Sequence, residues 1–171
     1  MNTNTRLQSI PIGFDGAAAV LFDGKYLWVA NNGNGICKID PSTDSIVFSS
    51  TSIMGAPSVN GIGFDGTHIW LPDFNNNVLN KIDPETNTVV ATIPAGNGAR
   101  GIAFDGTYIW LANSYDATIM RIDITTNAIV ETIQLPAGTR PYNFVFDGTH
   151  MWVADQISGG GRVFKILVRG N

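Results

Sequence analysis

The chain is poor in cysteine, poor in charge and free of long apolar runs, and each scarcity removes a class of protein. A single cysteine, Cys37, among 171 residues cannot close an internal disulfide, so the core must hold the fold. It lies in Ile36-Cys37-Lys38-Ile39 with no histidine near it in its repeat, which reads as a core thiol and not a reactive one. Only 14% of residues are charged, and 10 Lys+Arg against 14 Asp+Glu leave −4 with no run of one sign. The positive field that grips a phosphate backbone is missing, so nucleic acid is not an expected partner. No segment reaches membrane-spanning length, and the first residues lack the apolar stretch of a signal peptide. The expectation is no membrane partner and, by default, a cytoplasmic protein. A glycine loop opening a helix, a paired-cysteine metal site and a nucleophile elbow are all missing, so no cofactor is expected.

What is present is periodic. Phe-Asp-Gly recurs at Phe22, Phe64, Phe104 and Phe146, at spacings of 42, 40 and 42 residues. A period near forty is that of one four-stranded propeller blade. Six residues after each phenylalanine stands a tryptophan: Trp28, Trp70, Trp110 and Trp152. Sixteen to nineteen residues after it, a basic residue precedes isoleucine, at Lys38, Lys81, Arg121 and Lys165. Each unit is expected to run from an inner strand ending at Phe-Asp, through an Asp-Gly turn, to a second strand. A polar loop, a third strand, a turn such as Asp83-Pro84-Glu85-Thr86-Asn87 and a fourth strand follow. Asp and Asn bond their own backbone in such turns, and Gly supplies positive φ.

The fold class is therefore all-β: a β-propeller of four blades, each a four-stranded antiparallel sheet, in a single domain over 1–171. The blades are expected at about 17–54, 59–94, 99–136 and 141–169. After Phe146 only three strands fit, and Ser9-Ile10-Pro11-Ile12-Gly13 resembles Thr92-Ile93-Pro94-Ala95-Gly96, the end of a fourth strand. The N-terminal strand, 6–12, is thus expected to close the last blade by pairing along 163–168, which removes exposed edges. The same exchange between two chains makes one eight-bladed ring. Monomer and homodimer both remain open.

The segments Phe64-Asp65-Gly66-Thr67-His68-Ile69-Trp70-Leu71, Lys81-Ile82-Asp83-Pro84-Glu85-Thr86-Asn87 with its continuation to Pro94, and Ile109-Trp110-Leu111-Ala112-Asn113 resemble YVTN-type propeller repeats. The resemblance covers nearly the whole chain and is specific for the blade. Members of that family range from surface-layer and periplasmic proteins to relatives of the streptogramin (virginiamycin B) lyases. The chain departs from it in carrying about half the usual blades and no export signal. Streptogramin lyases use a histidine base near the channel, and neither His68 nor His150 falls at that place.

Function is expected where the repeats differ. The tight turns are stereotyped, whereas the loops between second and third strands vary: 31–35, 73–77, 113–117 and 155–161. Scaffolds fix position and loops carry binding. Nine residues after each repeat phenylalanine stand Asn31, Asp73, Asn113 and Asp155, two amides and two carboxylates able to meet a sugar's hydroxyls or part of a cation's shell. The competing reading has each side chain bonding backbone N–H groups as its strand ends. Phe74 and Tyr115 in these loops, and Arg100, Arg140 and Tyr142 between blades, complete the candidate ligand-binding set; Phe14 and Asn60 extend the same rim.

His68 and His150 are expected to open second strands beside the tight turn, without a serine, cysteine or paired acid to make a relay. The tryptophans read as inter-blade packing and not as sugar platforms. The repeated basic residue reads as a blade-to-blade donor, with the Asp of Phe-Asp-Gly as one acceptor. Together these predict a non-catalytic binding or protein-interaction module, with a small polar ligand, a carbohydrate or a protein surface as partner. The alternatives are a lyase or hydrolase at the channel mouth, with a metal held by Asp73 and Asp155, and a structural subunit of a larger assembly.

Overall fold

The structure, a computed structural model, describes residues 9–13, 16–31, 35–51, 61–157 and 160–168. Among these there are fifteen strands and no helix. The first blade is β1 (Ala17–Phe22), β2 (Leu27–Asn31), β3 (Gly35–Asp40) and β4 (Ser45–Ser50). The second is β5 (Gly63–Phe64), β6 (Ile69–Asp73), β7 (Val78–Asp83) and β8 (Thr88–Pro94). The third is β9 (Ala99–Phe104), β10 (Tyr108–Asn113), β11 (Thr118–Asp123) and β12 (Ile129–Gln134). The fourth is β13 (Pro141–Phe146), β14 (His150–Asp155) and β15 (Arg162–Leu167). Each sheet is an antiparallel meander in chain order, so the protein is an all-β, four-blade β-propeller.

The recurring triplet builds the first turn of every blade. In the second blade the Asp65 carboxylate accepts the Thr67 and His68 amides at one oxygen (2.7 and 2.6 Å) and the Trp70 indole at the other (2.7 Å). Asp23, Asp105 and Asp147 repeat this with Trp28, Trp110 and Trp152. The glycine after each aspartate has φ between 93° and 98°, a region that penalises a Cβ. The partner of the Phe-Asp-Gly aspartate is thus the indole and not the repeated basic residue. That residue reaches the next blade: Lys38 donates to the Pro84 carbonyl and Asn87, and Lys81 to the Ile124 carbonyl and Asn127. The expected blade-to-blade donor is present at these two positions. Arg121 turns instead to Glu131 on its own sheet. Burial lowers the Lys38 ammonium's pKa, with Glu85 and Asp23 opposing.

The core is three interfaces in series. Trp28, Ala30 and Ile36 pack on Ile69, Leu71 and Ile82; Trp70 and Leu79 on Ile109, Leu111 and Ile122; Trp110 and Ile119 on Met151 and Val153. Alternation along a strand makes this possible, because successive side chains face successive blades. Cys37 is fully buried, as expected of a core thiol.

The N-terminal closure differs from expectation. The fourth sheet has three strands, and residues 9–13 form no strand pairing with it. Ile10 and Ile12 lie at the opposite end of the series, on Val29, Cys37 and Ile39 of the first blade. Among the described residues no other blade packs against the hydrophobic face they cover; residues 6–8, the start of the expected strand, lie outside the described residues.

Candidate functional site

Among the described residues, the loops of the second and third blades and the segments that link blades two to four meet on one face. Between the second and third blades, Ala95 N–H donates to the Asn77 carbonyl (2.9 Å), Gly98 N–H to the Asn77 side chain (3.0 Å) and Tyr115 N–H to the Asn97 carbonyl (3.0 Å). Between the third and fourth, the Ser114 hydroxyl donates to the Pro141 carbonyl (2.6 Å). Asn77 and Ala117 adopt positive φ at the ends of their loops. Asn77 and Asp116, which accepts the Asn97 amide at 2.7 Å, anchor this face and were not among the sequence candidates. Their signal was only an Asx residue in a loop.

Five candidates from three blades form one cluster. The Arg100 guanidinium, on β9, lies 4.3 Å from the Phe74 ring, 5.8 Å from Tyr115 and 5.6 Å from Tyr142. Arg140 lies 5.6 Å from the same Tyr115 ring. Phe74 and Tyr115 meet edge to face at 5.3 Å, the arrangement their quadrupoles favour. Gly98, at φ 76°, lets both rings close over the backbone, since a Cβ there would stand 3.2 Å from Tyr115 and 3.3 Å from Phe74. The Arg100 Nε is buried and bonds to nothing among the described residues, while the Tyr115 ring is half exposed. A half-buried cation framed by three aromatic rings stands on this face.

The ring of amides and carboxylates behaves differently. Asp73 accepts the Asn75 and Asn76 amides and the Asn76 side chain. Asn113 accepts the Gly96 amide and donates to Thr118. Asp155 accepts the Arg140 amide and pairs with Arg162 at 3.0 Å. All three are buried, and each caps backbone as its strand ends. Asn31 is also fully buried, but neither of its side-chain polar atoms has a partner among the described residues. The loop beside it, 32–34, lies outside those residues, as do Phe14, Asn60 and 158–159. Among the described residues no three metal-binding side chains converge.

Clefts of about 310 and 260 Å³ open on the other face, beside the Asp-Gly turns. The first includes His68, which precedes β6, as His150 opens β14. Each histidine donates its backbone amide to the turn aspartate. In the first cleft, Asp65 and Lys81 are already spent on indole and carbonyl partners. The loop-face cluster therefore carries the stronger case for recognition, although it is flat.

No family model matches the sequence, and no curated protein does. Solved structures with the same fold include the hydrazine synthase of Kuenenia stuttgartiensis, at 17% identity over 98% of this chain and TM-score 0.77. U3-55K aligns at 17% identity over 88% and TM-score 0.72, and the WD40 repeats of RRP9 at 15% over 91% and 0.73. The chain spans about half the length of each, 49, 49 and 51% respectively. These likenesses establish the β-propeller and nothing finer.

Proposed function

We propose that this propeller, of the YVTN type by its repeats, is a non-catalytic interaction module that docks a protein surface on its variable-loop face. The observation that carries the reading is the Arg100 guanidinium held among Phe74, Tyr142 and the half-exposed Tyr115. Arginine and tyrosine dominate binding hot spots because they offer large rigid area and directed donors. A carboxylate on the partner would pair with the guanidinium charge. Asp73, Asn113 and Asp155 shape the loops, and Arg140 adds a second cation.

Carbohydrate remains the second reading, favoured by the half-exposed Tyr115 ring beside two arginines. Parallel screens on an acidic-peptide library and a glycan array decide between them, repeated with Arg100→Ala and Tyr115→Ala. Hot-spot losses of about 2 kcal/mol predict roughly thirtyfold weaker peptide binding in each variant. Peptide binding unchanged in both variants, or binders found only on the glycan array, refutes the protein-docking reading.

A further inference from the structure

The two ends of the blade series present complementary, uncovered halves of the same interface. In each of the first three blades the tryptophan face is sealed by the following blade: Trp28, Trp70 and Trp110 are at most 1% exposed, as are Ile36, Leu79 and Ile119. In the fourth blade the equivalents face solvent. Val163, at the position of Ile119, is 66% exposed, Val145 is 64% exposed, and Trp152 is only partly buried. Together with Ala154 they line an apolar groove of about 280 Å³. At the other end, Val20 and Phe22 are 62% and 55% exposed, although their counterparts Ile62 and Phe64 pack against a preceding blade.

Two further observations say what fits there. Residues 9–12 already sit in the place of a preceding blade's outer strand. Ile10 and Ile12 pack on Leu27, Val29 and Ile39 as Ile93 and Ala95, their counterparts in the matching segment, pack on Ile109, Leu111 and Ile122. Among the described residues, the first blade thus holds the outer edge of a neighbouring blade with no further strand packed beside it, and the fourth blade is a sheet of three strands. The second observation is charge. Lys38 and Lys81 cross to a carbonyl and an asparagine in the next blade's turn. Lys165 stands equally poised, 4.9 Å over Trp152 as Lys81 stands 5.0 Å over Trp70. The turn position corresponding to Asn87 and Asn127 in the first blade is Asp44, which shares their positive φ.

We propose that the Trp152 face is a docking surface for a second copy of this chain. The fourth blade of each copy packs on the first blade of the other, takes residues 9–12 of that copy as its outer strand, and sets Lys165 against the other copy's Asp44. Two such heterologous contacts close an eight-bladed ring.

Native mass spectrometry and sedimentation of the 171-residue chain at micromolar concentration test this. The expected species has twice the 18.3 kDa chain mass. Lys165→Glu faces Asp44 with a like charge and is expected to raise the dissociation constant about thirtyfold or more. Adding Asp44→Lys restores the dimer. Val163→Asp places a carboxylate in the same contact and yields monomer with an unchanged circular dichroism spectrum, because the residue is exposed within one chain. A single-chain mass, whether from closure of the chain on itself or from a face covered by another partner, overturns the proposal. So does an open-ended series of oligomers, or a dimer indifferent to Lys165→Glu and Val163→Asp.

Discussion

Asp65→Asn isolates the bond on which every blade turn depends. The Asp65 side chain is 2% exposed, and its Oδ2 accepts the indole N–H of the fully buried Trp70 at 2.7 Å. Asparagine keeps one oxygen for the Thr67 and His68 amides but turns its NH₂ toward the indole, leaving two donors facing each other. A hydrogen bond to a charged acceptor is worth about 1.5–3 kcal/mol, and a buried donor left unpaired costs about 1–3. The substitution should therefore cost roughly 2–3 kcal/mol, or a fall in Tm of ~4–12 °C for a chain of this length. Trp70→Phe removes the donor at its own packing cost. In that background Asp65→Asn should cost under about 1 kcal/mol, since only the loss of charge at the two amide bonds remains. Urea unfolding of the four proteins at neutral pH gives the coupling directly. An equal cost of Asp65→Asn in both backgrounds would refute the claim that the indole bond, and not the backbone turn, carries the aspartate's contribution.

Two other outcomes follow from the same geometry. Trp152, then the His150 and Thr149 amides, hold the Asp147 carboxyl down at about 2 against an ordinary 3.8. Ser42 lowers Asp40, and turn amides lower Asp83 and Asp123; at Asp23 burial pushes upward but is outweighed by the Tyr26 amide and the Trp28 indole. A depressed carboxyl stabilises the fold fully above its unfolded value and loses that contribution as pH falls through the folded one. Thermal melts should be level in this respect above pH ~5 and decline from about 4 towards 2; constant Tm across that acid window is the contrary result. The inner strands also approach closely at Gly101, where a Cβ would overlap the Tyr142 carbonyl oxygen. Gly101→Ala should cost at least about 2–3 kcal/mol by forcing β9 and β13 apart, and a denaturation midpoint like that of the unchanged protein would contradict this approach.

The blade was legible because its determinants are local. The Asp-Gly turn, the tryptophan six residues on and the Asx turns at 40–44, 83–87 and 123–127 all act within a few residues of chain, and each repeats. The four sheets and the direction of the polar loops follow from them. Less legible were partners that lie one repeat away. The basic residue before isoleucine was readable as a donor to the next blade, but not its acceptors, the Pro84 and Ile124 carbonyls. Nor did residue spacing reveal that Phe74, Arg100, Tyr115 and Tyr142, up to 68 positions apart by number, share one cluster.

Closure shows the division most plainly. The likeness of 9–13 to 92–96 marked that segment as an outer strand from sequence alone, because the pattern of isoleucine, proline and glycine belongs to the blade's own turn chemistry. Which blade it serves is a matter of where the sheets lie. Three packed interfaces set the curvature, and that curvature leaves Trp152 and Phe22 facing solvent at opposite ends instead of facing each other. Sequence determined the unit and its register, since hydrogen bonds and side-chain alternation act over short range. Only the tertiary structure decided how the units add up, because the angle between blades is the summed outcome of side-chain packing that no single repeat contains.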